Sequence, residues 1–189
     1  EELYERAGIY AEFGKIVSIG LGYFKRDGDQ MHLRIKDITT HDEKALLEEF
    51  KSLLEGPFKQ PNLKLCAHNG KEFDFPYIAR RMIVNGIKLP ECLNLAGKKP
   101  WEIGHIDTMD YWKFGDYKHF TSLDLLAAIL EVPTSKDDID GSQVNEVYYQ
   151  QNDLKRIGQY CKKDVAVMAQ VYLKLIQEPA LAPENIVIL

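Results

Sequence analysis

Tyr160 and Asp164 stand four residues apart in the run QYCKKDVAVM, a spacing that sets a phenol and a carboxylate on one face of a helix. Alone the pair carries little. Tyr-x-x-x-Asp arises often by chance, and a half-buried aromatic beside a solvated acid satisfies it equally well. A second acid, Asp74, follows a short apolar run (Leu63, Leu65, Cys66, Ala67) across a turn carrying Asn69, Gly70 and Phe73. A carboxylate at the carboxyl end of a sheet strand is placed to hold a metal or a proton. The same acid, just ahead of a helix containing Pro76, serves equally well as a helix cap. Asn69-Gly70 has its own bland reading as a tight hairpin turn, although the residues that follow, Tyr77, Ile78, Met82 and Ile83, recur at helical spacing.

The elements that must position these residues read as follows. Residues 1–14 form a lead-in, helical or irregular, with Leu3, Tyr4 and Ala7 on one side. Lys15–Phe24 and Met31–Lys36 are strands joined at Asp27-Gly28, a hairpin signal. Thr39 to Asp42 caps a helix running to about Leu54, with Ala45, Leu46, Phe50, Leu53 and Leu54 in one stripe. The Leu63–Met82 strand, turn and helix follow, then a loop over Leu89–Pro100 and a strand over Glu102–Met109. Tyr111–Phe120 is aromatic and basic. A helix starts at Thr121 or Ser122, where Thr121 and Asp124 have capping-box spacing. Val132–Gly141 is a polar loop and Ser142–Tyr149 a short helix; the last helix spans about Asp153–Ile176, ahead of a proline-broken tail at 178–189. The expected architecture is one α/β domain over residues 1–189.

Composition bounds the function. Over 189 residues, hydrophobic content of 45% and charged content of 28% are those of an ordinary globular domain. The net charge of −5 advertises no overall basic field for nucleic acid or membrane, while leaving room for a local groove assisted by bound cations. Cys66, Cys92 and Cys161 are odd in number and widely spaced, which suggests no disulfide framework and points to a reducing cytoplasm. No apolar run has membrane-span length, and EELYERAG is unlike a signal peptide. Gly97-Lys98 lacks the first glycine of a phosphate-binding P-loop, since position 92 is Cys92; the Cys and His residues show no paired zinc spacing; no Gly-x-Ser-x-Gly elbow is present.

Taken in order, NGKEFDFP after a strand and YCKKD in a C-terminal helix closely resemble motifs II and III of the DEDD 3′→5′ exonucleases. The tyrosine at 160 is similar to the subgroup with tyrosine in motif III. KIVSIGLGY, HIDT around Asp107 and DIDGSQVNEVYY extend the resemblance over nearly the whole chain, toward the predicted exonucleases related to the proofreading domain of family B DNA polymerases. The resemblance implies a ribonuclease H-like mixed sheet flanked by helices. It implies two Mg²⁺ or Mn²⁺ ions, hard cations that take carboxylate oxygens, clamping the attacking and leaving oxygens of a phosphodiester. It assigns Asp164 to one metal directly, Asp74 to the second through water, and Tyr160 to orienting the attacking water. Asn69 and Phe73 map to positions facing the terminal nucleotides. The implied partner is a nucleic acid, the 3′ end of single-stranded DNA, with no membrane; any polymerase or repair partner acts in trans.

One departure is plain. The family's motif I, Asp-x-Glu on the first strand, should precede KIVSIG, but residues 1–14 contain no Asp, and Glu5 and Glu12 lack strand context. The expected fold therefore lacks its first strand within these residues. An N-terminal segment bearing Asp-x-Glu is expected in the natural protein, and without it poor metal binding and little cleavage. The competing reading is a non-catalytic nucleic-acid-binding or scaffold domain of the same fold, or an RNA-directed exonuclease. For Trp112–Phe120 two roles stay open, packing onto the core or walling a nucleic-acid groove. Lys162 and Lys163, beside the tyrosine and aspartate, are candidates to meet phosphate.

Overall fold

The computed structural model describes residues 7–116, 118–134 and 139–189. Leu3, Tyr4 and Glu5 of the lead-in, Tyr117 of the aromatic stretch and Asp138 of the DIDGSQV run lie outside the described residues. The chain is a mixture of helices and strands, as the patterning implies. Among the described residues the strands form a three-stranded sheet and a two-stranded one. Of the described residues, those in 7–18 and 38–107 make one compact unit, and those in 19–37 and 108–189 another.

Ser18–Asp27 (β1) and Gln30–Thr39 (β2) form the expected hairpin. Gly28 turns it at a φ of +60°, a conformation that side chains with a Cβ resist. Strand β1 starts later than the expected Lys15, because the Ile16 N–H donates to Glu43 at 2.7 Å instead of joining a ladder. The sheet order is β1-β2-β5. Strand β5 is Ile186–Ile188, which corrects the reading of 178–189 as a bare tail. Its β-branched residues pair in parallel with β2, Leu33 with Ile186 and Ile35 with Ile188, so the edge of β2 is closed by the end of the chain.

In the first unit, Asp42 caps the helix Glu43–Glu55 (α1) by accepting from Ala45 N–H, as expected. Cys66–Ala67 (β3) runs parallel to Ile106–Asp107 (β4), with Ala67 opposite Asp107. Both strands are shorter than the apolar runs containing them, and the second helix is Asp74–Val84 (α2). The two helices are joined by a buried ion pair. Arg81 donates from Nε to Glu43 Oε1 at 2.9 Å and from Nη2 to Oε2 at 2.5 Å. Its Nη1 holds the Ala11 carbonyl at 2.9 Å, and Asn85 Nδ2 also donates to Glu43. The Glu43–Arg81 pair thereby gathers α1, α2 and the lead-in.

In the second unit follow Thr108–Lys113 (α3), Leu123–Ile129 (α4), Val144–Tyr149 (α5) and the long Leu154–Leu175 (α6). Residues 108–113 are helical where the patterning placed the end of a strand and an aromatic loop. Ser122 is the N-cap of α4, accepting from Leu125 N–H; it, not Thr121, holds the cap position. Asp153 caps α6 through Arg156 N–H. Leu126, Ala127, Val132 and Val171 form one apolar cluster, against which Trp112 packs. Leu33, Ile35 and Ala169 form another. An ideal Cβ at Gly20 would come within 2.6 Å of the Cys161 carbonyl, so β1 approaches α6 more closely than a side chain allows. No helix among the described residues is long and apolar enough to cross a membrane.

Burial pushes the Glu43 carboxyl up, but hydrogen bonds from Arg81, Ile16 and Asn85 outweigh it and hold the group below its ordinary 4.5. A lowered acid stabilises the fold above its unfolded pKa, and that contribution is lost as pH falls through the folded value. Arg81→Ala should destabilise by about 3–5 kcal/mol at pH 7, the usual loss when a buried pair is broken. Urea titrations of wild type and variant should show the gap narrowing as pH drops well below 4.5. A gap that does not change with pH would count against the ion pair as the source.

Candidate active site

The first group of residues is built where β3 ends. The chain leaves Ala67 through His68 and enters a left-handed residue at Asn69, φ +60°. Gly70 is next, and an ideal Cβ there would lie 2.5 Å from the Ala67 Cβ and 3.0 Å from the Phe75 ring. Only glycine lets the turn fold back this tightly. The Asn69 carbonyl then accepts from Phe73 N–H at 3.0 Å, and the Gly70 carbonyl from Phe75 N–H at 2.9 Å. The turn therefore runs into α2 without a break.

Asp74 is the first residue of α2, not its cap. The cap position belongs to Phe73, which makes no side-chain cap bond. The capping reading of Asp74 is thereby corrected, because a residue already inside the helix cannot fill the N-cap position. The Asp74 carboxyl is half-buried and pushed up to about 6, first by burial and then by the negative charge of Asp107, against a bond from its own backbone. Phe73 is 44% exposed, its ring 5.5 Å from that of Tyr77. Tyr77 in turn donates to the Gly8 carbonyl at 2.7 Å.

The same neighbourhood disposes of other chemistry. The Cys66 thiol is driven up to about 12 by burial and by Asp107, which leaves no thiolate nucleophile at neutral pH. His105 accepts from Leu65 N–H at Nδ1 and lies 2.8 Å from the Cys92 carbonyl at Nε2. Both ring nitrogens are thus engaged, and burial lowers its pKa. It braces the strand ends as a neutral ring.

The second group lies on α6. Tyr160 and Asp164 share one helical face as their spacing implies, and the phenol donates to the carboxylate. Burial raises the Tyr160 pKa, and the bond to Asp164 and the charges of Asp164 and Asp124 add to that. Asp164 is also raised, chiefly by burial; the Tyr160 bond opposes this and Asp124 adds to it. Asp124, in the first turn of α4, is therefore an acid near this pair that sequence spacing did not single out. The backbone passes the phenol at Gly141, where an ideal Cβ would sit 3.7 Å from the hydroxyl. Asp140, next to it, accepts from Ser142 N–H at 2.7 Å and is held low by its bonds to Ser142.

Lys162 pairs with Asp37 at 3.0 Å, which ties α6 to the end of β2. In the aromatic stretch, Trp112 takes the core-packing role. Phe114 is 87% exposed and Phe120 is also exposed, with Lys113 Nζ 4.6 Å from the Phe120 ring. Asn69, Phe73 and Asp74 thus come together in one unit, and Tyr160 with Asp164 in the other. Among the described residues, no group of three or more His, Cys, Asp or Glu is assembled for a metal ion.

A family model described as a predicted 3′-5′ exonuclease related to the exonuclease domain of PolB matches residues 9–180. No curated protein matches the chain significantly.

A carboxyl raised from 3.8 to about 6 binds its proton more tightly in the folded state. Its ionisation therefore erodes stability as pH rises through that window. Asp74→Asn removes this penalty. In the metal-free protein it should raise Tm at pH 8 by roughly 5 °C and leave it nearly unchanged at pH 3.5, as read by thermal melts. Equal shifts at both pH values would contradict the buried-acid account.

Proposed function

The chain belongs to the predicted 3′-5′ exonucleases related to the exonuclease domain of PolB, and on that premise we propose that it removes nucleotides from the 3′ end of single-stranded DNA by metal-dependent phosphodiester hydrolysis. The observation that carries this reading is the Tyr160–Asp164 pair, a phenol bonded to a carboxylate on one helical face, both raised by burial. We read the fold as ribonuclease H-like and residues 1–189 as one functional domain. Among the described residues β1 is terminal in its sheet, which fits a neighbouring strand bearing Asp-x-Glu. The three cysteines, none in a disulfide, fit a cytoplasmic setting.

The donors present are of the right type for Mg²⁺ or Mn²⁺, since hard cations favour carboxylate oxygen, and half-buried acids that resist ionisation gain most from a neighbouring cation. In this reading Asp164 would hold one ion and Asp74 the second. When bound, the two ions supply the acidity for the attacking water and the positive charge for the leaving oxygen. The residues of the chain do the positioning. Tyr160, its pKa raised, keeps its proton at neutral pH and acts as an orienting donor, not as a base. Phe73 offers an exposed ring on which a terminal base stacks, a contact tolerant of sequence. Asn69, beside it, faces the same nucleotide.

The test is a 5′-labelled single strand incubated with the full-length gene product and Mg²⁺. Progressive shortening from the 3′ end, stopped by chelation, is expected. Asp164→Ala should abolish turnover with the fold intact. Tyr160→Phe should slow it about 10- to 100-fold, as loss of an orienting partner does. Undiminished cleavage by Asp164→Ala would rule out the assignment.

A further inference from the structure

Asp107 closes β4 and is 2% exposed. A buried carboxylate demands partners, and Asp107 finds them in the backbone of the turn that carries Asn69, Phe73 and Asp74. Its Oδ1 accepts from Asn69 N–H at 2.8 Å and its Oδ2 from Lys71 N–H at 3.0 Å. The two donors flank Gly70, the residue at which the turn doubles back on Ala67. The strand register places Asp107 opposite Ala67, so the carboxylate is presented to the turn from the paired strand.

The grip passes on by hydrogen bonds. Asn69, held at its N–H by Asp107, accepts at its carbonyl from Phe73 N–H; Gly70, between the two held residues, accepts from Phe75 N–H. Phe73 and Phe75 are the immediate neighbours of Asp74. Asp74 is thus bracketed on both sides by bonds to a turn whose shape a single carboxylate sets, including the left-handed residue Asn69. We propose that Asp107 is a positioning residue, which through the 69–71 backbone fixes where Asp74, Phe73 and Asn69 stand. The proposal rests on the exonuclease reading of those three residues, and concerns a residue that reading leaves without a role.

Asp107→Asn is nearly isosteric but offers only one accepting oxygen, so one of the two N–H groups loses its partner. The variant should lower kcat/KM on a single strand about tenfold or more, in line with supporting residues around other sites. It should also raise the Mg²⁺ concentration for half-activation. A second readout is independent of catalysis. In wild type the Asn69 and Lys71 amides should exchange slowly with solvent, and in the variant exchange at Phe73 and Phe75 should quicken about tenfold or more. If the variant merely melts earlier while its folded fraction keeps wild-type kcat/KM and metal response, the inference is overturned. Unchanged exchange at Phe73 and Phe75 overturns it as well. Should wild type shorten no 3′ end, the exonuclease reading falls and the exchange arm alone decides. Should the variant not fold, fast exchange of Asn69 and Lys71 in wild type overturns the proposal, and protection supports it.

Discussion

A carboxylate taken out of water must either find compensating partners or hold its proton. The structure contains both solutions. Glu43 is buried and ionised because a guanidinium and two further donors surround it, and with Arg81 it knits α1, α2 and the lead-in. Asp107 is buried and spends both its oxygens on backbone N–H groups. At Asp74 and Asp164 burial and neighbouring acids outweigh the hydrogen bonds received, and both are raised. The first pair of acids builds the scaffold. The second pair is left in a state that a cation would relieve.

That division organises the local architecture. In one unit the parallel β3–β4 pair, the glycine at 70 and Asp107 deliver Asp74 at the first residue of α2. In the other, α6 is fixed by its Asp153 cap, by Lys162 to Asp37 and by the close approach at Gly20, which presents Tyr160 and Asp164 from a well-held helix. Groups that carry chemistry are more reliably placed on helices and strands than on loops. Asp74, Tyr160 and Asp164 stand on helices, while Asn69 and Phe73 stand on the turn ahead of α2.

The hairpin at Gly28, the cap at Asp42 and the long last helix were legible because each rests on a local signal. Strand β5 was not. Three apolar residues after two prolines carry no period, and only the open edge of β2, an element far away in the chain, makes them a strand. Residues 108–113 were misread for a similar reason, as their helix forms by packing Trp112 onto α4 and α6. Tyr160 and Asp164 were visible through spacing, and Asp74 through its place after a strand. Asp107 was visible only as part of HIDT, and Asp124 only as half of a capping-box pattern. Their proximity to the other acids depends on strand register and helix packing, which short-range pattern does not encode.

The proposed role of Asp164 and its bonded phenol is to serve a divalent cation. Anomalous diffraction from crystals of the full-length protein grown with Mn²⁺ and a short single-stranded DNA addresses it directly. A manganese peak is expected at bonding distance from the Asp164 carboxylate, with the 3′ end of the strand beside it. Manganese peaks that avoid Asp164 in a complex with DNA bound would contradict it.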